Sequence, residues 1–413
     1  MKVWIKYLIG IVIGIAASFI LPMSNTSCSE VFAFLSDLFI RFGRYIVIPL
    51  VFCTAVISIN KLRTSKLFGK TLAWTAAIIV ISSLLLTFIG LISILIVKLP
   101  RIPITIDIPV GIDVPKPVDK IKEGLLKLFP SSGFDALREG SFILASLVLG
   151  FLFGWASAAD EVTFKPVITF FDSLSKLVYH IAVFFTEITS VLMVAIMCYW
   201  MSNYKTILAP GIYTPMIIMF LVDFIIVAGI IYPVIIRFLC HDTKPYRVLY
   251  AALAPMMLSF ICADSNMALP LTIRHGKESL GIRRRCSGFT YPMFSIFARG
   301  GSALVSVISF VLIFRSYSSL SITISDLFWL FGFAFGWSFL LGGTPAGGAF
   351  FLLQVICSTY GKGYDTSYLL LQPATMIICS FACLFDSVTA MFGSYIVAVK
   401  TKMIEHHPVA RFI

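Results

Sequence analysis

Three ionisable side chains interrupt very apolar runs in the last third of this chain: Asp264, Arg299 and Asp386. In hydrocarbon, a charge costs about 2.5–3.5 kcal/mol even on lenient insertion scales, so such residues are rare and mark solute, ion or proton pathways. One guanidinium and two carboxylates can hold a zwitterionic or charged solute, and a carboxylate can also carry a proton. In a dry site two neighbouring carboxylates do not both stay ionised, and one of them holds a proton. Two acids can instead serve acid–base catalysis, but neither a nucleophile motif nor a metal-ligand set accompanies them.

The elements that must position these charges are unusual. The segment at about 249–273 is broken at Asp264-Ser265-Asn266 and Pro270, and the segment 323–360 at Gly342-Gly343-Thr344-Pro345-Ala346-Gly347-Gly348. A helix that merely crosses a bilayer has no use for such breaks, because open backbone in hydrocarbon leaves N–H and C=O groups unpaired. Two interrupted segments in corresponding positions point to the binding site of a secondary transporter.

Composition agrees. The 413 residues are 59% hydrophobic and only 13% charged, about half the charge of a soluble domain. Several apolar runs reach the ~20 residues that span a bilayer. The first, from Tyr7 to about Pro22, lacks a small-residue cleavage site and reads as a span, not a signal peptide. The net charge of +12 lies in short Lys/Arg loops (61–70, 274–285, 400–411). That pattern places both termini in the cytoplasm and argues against a nucleic-acid surface. Arg283, Arg284 and Arg285 read as a topology signal. The nine cysteines include no CxxC or His/Cys cluster, so no metal site, cofactor or disulfide framework is expected.

Apolar segments fall at about 5–22, 33–60, 70–98, 141–158, 165–201, 209–239, 249–273, 286–315, 323–360 and 366–399. The long stretch 99–140 reads as an outer loop, extended and then amphipathic. Asp172, His180, Glu187 and Asp223 read as polar contacts between helices.

Several of these segments resemble the dicarboxylate/amino acid:cation symporter family. FIRFGRYIVIPLVFCTAVISINKL is similar to its second span, and LFPSSGFDALREGSFILASLVLGFLFG to the approach to its fourth. The order of tip, Leu-Pro, basic loop, SIFARGGSAL, Gly/Pro-rich tip and final span is the family's order. The resemblance implies an all-α polytopic fold of eight transmembrane helices and two re-entrant hairpins. It implies a homotrimer whose transport domain (68–98 and 249–413, hairpins 249–273 and 323–360) moves as an elevator against a scaffold (1–67 and 141–248). A bacterial inner membrane is the expected location.

The family's Asn-Met-Asp-Gly-Thr ion motif falls on Ala298, Arg299, Gly300, Gly301 and Ser302, so the carboxylate is lost and a guanidinium arrives. Arg299 reads as a built-in substitute for a bound cation. The driving ion is left open between H+ and Na+, with sodium coupling through this motif disfavoured. An aspartate restored at position 300 is the direct test of that reading. In the last span, Asp386 takes the place of the family's substrate arginine, Ser387 of a threonine, and Ala390 of an asparagine. Cys383 and Ser394 replace aspartates. At the tips, Ser265 and Asn266 beside Asp264, and Thr344, Pro345, Ala346 and Gly347, would line the substrate. An amino-acid-like solute with a neutral or cationic side chain suits Asp386 better than an acidic one, and a dicarboxylate stays open.

Blander readings stand beside these. Arg299 and Asp386 can be a static brace, Asp264 a helix cap, and the glycine run tight helix packing. A transport-deficient sensor or channel on the same scaffold is the alternative function.

Overall fold

A computed structural model describes residues 2–21, 26–103, 130, 132–138, 143–208, 211–318, 322–343, 348–405 and 407–413. The outer-loop expectation for 99–140 lies mostly outside them. Among the described residues the chain is helical, with one isolated antiparallel bridge between Ile282 and Ile404.

The first half supplies α1 (Val3–Ile20), α2 (Thr26–Tyr45), α3 (Val47–Thr64), α4 (Phe68–Ile96), α5 (Ile143–Ser157) and α6 (Lys165–Leu208). Next come α7 (Thr214–Ile226) and α8 (Tyr232–Cys240), fused through a π turn at Val227–Ile231. Among the described residues, seven helical stretches are long and apolar enough to cross a membrane, and α5 is shorter. Its 15 residues cover about 22 Å at 1.5 Å per residue, less than the ~30 Å hydrocarbon core.

The C-terminal part is built from interrupted helices. The first hairpin is α9 (Tyr246–Cys262) and α10 (Leu269–Glu278). Ala263 ends α9 in the left-handed region at φ 48°, and Pro270 stands in the first turn of α10, where its missing N–H leaves no bond unmade. The expected seventh span is two helices, α11 (Arg284–Phe297) and α12 (Gly300–Tyr317), with Ala298 and Arg299 non-helical between them. The second hairpin is α13 (Ile324–Ser338) and α14 (Ala349–Tyr360), and α15 (Thr375–Lys400) closes the bundle.

Packing divides the molecule. In the most apolar 18-residue window of each stretch, 94% of Arg284–Tyr317, 78% of Ser367–Lys400 and 72% of Cys28–Thr64 is buried, against 28% of Val3–Ile20 and 39% of Lys165–Lys205. α12 lies along α4 and α15, and α9 lies along α15. α1 lies along α6, so closely that a Cβ on Gly10 or Gly14 would fall 2.6 Å from a backbone oxygen of α6. Small residues four apart are what allow two helix backbones to meet in a membrane. The outer faces of α1 and α6 keep large apolar side chains exposed, among them Val12, Phe19, Phe170 and Val191. Lipid, not water, is the solvent that suits that surface.

Candidate substrate and ion site

The break between α11 and α12 sets the geometry. Pro292 lies inside α11, and Gly300 and Gly301 follow the break, so helix propensity is low on both sides of it. An interrupted helix opens a new N-terminus with unpaired N–H groups and a positive dipole end. Asp386 answers it from α15. Its Oδ1 accepts the Gly301 N–H at 2.8 Å, and its Oδ2 accepts the Ser302 hydroxyl at 3.1 Å. A helix N-terminus is a ready anion site, and here the chain's own carboxylate fills it. Gly301 is required for this approach, since a Cβ there would stand 2.4 Å from the Phe385 Cβ and 2.7 Å from Asp386 Oδ1.

Arg299 is fully buried, at 0% exposure. Its Nη1 lies 3.7 Å from Asp386 Oδ2, too far for a hydrogen bond but close enough for charge compensation. The direct bonds go to the first tip: Nη1 donates to the Ser265 hydroxyl and Nη2 to Asn266 Oδ1 at 3.3 Å. Asn266 Oδ1 also accepts the Ser295 hydroxyl at 2.8 Å. The guanidinium therefore joins the tip of α9–α10, the break and α15. Its Nε is buried without a partner.

Asp264 turns elsewhere. Its Oδ2 pairs with Arg44 Nε of α2 at 2.7 Å, and its Oδ1 accepts the Asn266 N–H at 2.9 Å. Arg44 was missed in the sequence because, at the last turn of α2, it reads as one more basic residue near a helix end.

The ion-motif positions are dry and crowded. Ala298 offers only a methyl group, and the Ser302 hydroxyl is committed to Asp386. A Cβ on Gly300 would stand 2.7 Å from the Ser83 Cα on α4 and 3.0 Å from Leu86 Cδ1. An aspartate at 300 thus cannot be added as a simple ligand; it would push α4 and α12 apart. Ser394 is buried, and its hydroxyl has no partner.

Below the tip, Ser265, Leu269, Thr272, Tyr291, Ser295, Asp386, Ser387 and Ala390 line a small cavity of about 10 Å³, room for about one water molecule. Among the described residues, the hydroxyls of Tyr291 and Ser387 that line it have no partner. The structure thus brings Asp264, Ser265, Asn266, Arg299, Asp386, Ser387 and Ala390 into one region, with Cys383 fully buried on the same helix. Thr344, Pro345, Ala346 and Gly347 lie outside the described residues. Of the residues read as contacts between helices, Asp172 pairs with Lys61, Glu187 with Arg274, and Asp223 accepts from Ser93. Among the described residues, no group of three or more His, Cys, Asp and Glu could hold a metal.

Interrupted helices that meet around buried charges inside an apolar helical body form the architecture of a secondary transporter. The model of the sodium:dicarboxylate symporter family matches residues 3–400, and the chain belongs to that family. A C4-dicarboxylate transport protein of Anaeromyxobacter sp. (strain K) is 23% identical over 314 residues, 73% of this chain and 68% of that protein. The neutral amino acid transporter B(0) of Oryctolagus cuniculus is 24% identical over 319 residues, 68% of this chain and 58% of its own. A C4-dicarboxylate transport protein of Dechloromonas aromatica (strain RCB) is 25% identical over 189 residues, and this chain spans only 40% of its length. The family and these relatives are named for transport, not for an enzymatic reaction.

Proposed function

We propose that the protein is a secondary transporter, a symporter or exchanger, of a small amino-acid-like or dicarboxylate solute. In this reading it works by an elevator movement of 68–98 and 249–413 against the remaining spans, as a homotrimer. It sits in the cell inner membrane with both termini cytoplasmic. Arg299 stands permanently where its relatives' motif would hold a cation, and protons or exchange replace sodium there.

One observation carries this reading: the Arg299 guanidinium is buried at the break and bonded to Ser265 and Asn266 of the first tip. A cation placed beside it would meet a like charge, a methyl group at Ala298 and a glycine with no room for a carboxylate. Among the described residues, the carboxylate nearest this motif is Asp386, and its two oxygens are taken by the Gly301 N–H and the Ser302 hydroxyl. Asp386 keeps the site near neutrality and is the group that can take a proton. Its neighbours are Arg299 at the break, Tyr232 on α8, whose hydroxyl bonds Thr389, Tyr291 on α11, and Cys383 on its own helix. Protonation would free Arg299 to face a substrate carboxylate.

The test is uptake by proteoliposomes from a labelled pool of amino acids and dicarboxylates, under a sodium gradient or a proton gradient imposed separately. Accumulation under the proton gradient, or counterflow with neither ion, is expected. Accumulation only under the sodium gradient would overturn the reading of Arg299. No accumulation or counterflow at all would favour a sensor or channel.

A further inference from the structure

The first tip is held from outside the proposed transport domain. Arg44 ends α2, and its pair with Asp264 spans 220 positions of sequence at 2.7 Å. The carboxylate is 2% exposed and the arginine 30%. A buried carboxylate is stable only while its partner stays. The Met267 side chain of the tip packs onto Gly43 at the same place, where a Cβ on Gly43 would fall 2.3 Å from the Met267 Cε.

The contact reaches the solute region through two bonds. Asp264 Oδ1 accepts the Asn266 N–H, and Asn266 Oδ1 accepts from Arg299. An unbroken chain therefore runs from Arg44 through the tip to the guanidinium at the break.

Further along the same seam, α6 turns Asp172, Ser175, Tyr179, Thr186 and Glu187 toward α10 and α11. Arg274 reaches Glu187 at 2.8 Å and Thr186 Oγ1 at 3.0 Å, and Tyr179 donates to Glu278. Arg284 donates to Ser175 and lies 3.7 Å from Asp172. Among the described residues, Arg44 is the charged side chain of this seam that pairs with a residue of the tip, beside apolar packing of Met267 in a cluster with Tyr7, Met193 and Trp200.

We propose that Arg44 is a positioning residue for transport: its pair with Asp264 latches the first tip to the scaffold in this state and must open for the tip to move. The proposal rests on the elevator reading given under Proposed function. If the tip travels with its domain, Asp264 leaves Arg44, and the strength of the pair sets the balance between the latched and moved states. A mere brace within one rigid body would carry no such balance.

The test uses the full chain carrying Gly43→Cys and Met267→Cys, oxidised in proteoliposomes, with the joined peptide followed by mass spectrometry over time. A second version adds Arg44→Gln and Asp264→Asn, which removes both charges and leaves neither orphaned. The latch predicts that the neutral version cross-links about tenfold more slowly, the shift expected when the latched state loses a buried pair. It also predicts that oxidation stops uptake from the labelled pool and that reductant restores it. Blocked uptake with an unchanged cross-linking rate overturns the latch alone. Unimpeded uptake by the cross-linked protein removes the elevator reading and the latch with it. No uptake by the reduced protein removes the transport reading on which both stand.

Discussion

Among the described residues, two arginine–aspartate pairs hold the first tip and the break, and they are built differently. At the break of the seventh span, both members are almost wholly enclosed and stand 3.7 Å apart, each bonded mainly to other groups. Asp386 caps α12, and Arg299 holds the first tip. At the seam with α2, the partners meet directly at 2.7 Å, and one of them is 30% exposed. The first pair is woven into three elements, and Arg299 can give up the charge of Asp386 only where another anion takes its place. The second is a single short contact with one member near the surface, an arrangement that can open and close. Charge in the membrane thus serves two ends here, a fixed internal balance and a separable contact.

The largest effect should come from breaking the fixed pair on one side. Asp386→Asn leaves the guanidinium of Arg299 buried and uncompensated, which should cost about 3–5 kcal/mol. It should show as loss of a monodisperse peak after detergent extraction. Adding Arg299→Met should restore most of that peak, because no charge is then stranded, while transport stays absent. If Asp386→Asn alone is as stable as the native chain, the two side chains are not compensating one another.

A smaller effect is expected where α12 meets α4. Gly300→Ala forces a methyl group against the Ser83 backbone and should cost about 1–3 kcal/mol by overpacking, read as a lower thermal midpoint. Gly300→Asp should be worse and should not confer sodium dependence. A stable Gly300→Asp protein that gained it would show that the helices part readily and that the motif is only dormant. The smallest effect on stability should come from the separable pair. Arg44→Gln with Asp264→Asn leaves no buried charge and should alter cross-linking and transport far more than the melting temperature.

Much of this was legible in the chain. The break at Asp264-Ser265-Asn266 announced itself as polar residues in an apolar run, but the non-helical pair at Ala298 and Arg299 did not, since 286–315 reads as one apolar span. The meeting of Arg299 with Asp386 followed from the cost of charge in lipid, since each needed a partner. Arg44 was not legible, because its role depends on a tertiary approach to a residue 220 positions away. The closeness of Gly300 to Ser83 was equally hidden: a glycine reads as freedom of the backbone, and only packing shows that it is lack of room.

The central claim, a fixed cation in place of sodium, can be tested without knowing the solute. The measurement is the thermal midpoint of the purified protein in rising sodium chloride, against choline chloride at equal ionic strength. A ligand that binds only the folded state raises stability as its concentration passes its dissociation constant. The account predicts that the two salts give the same curve and that Arg299→Met does not raise the midpoint in choline. A saturable, sodium-specific rise in the native protein would contradict it.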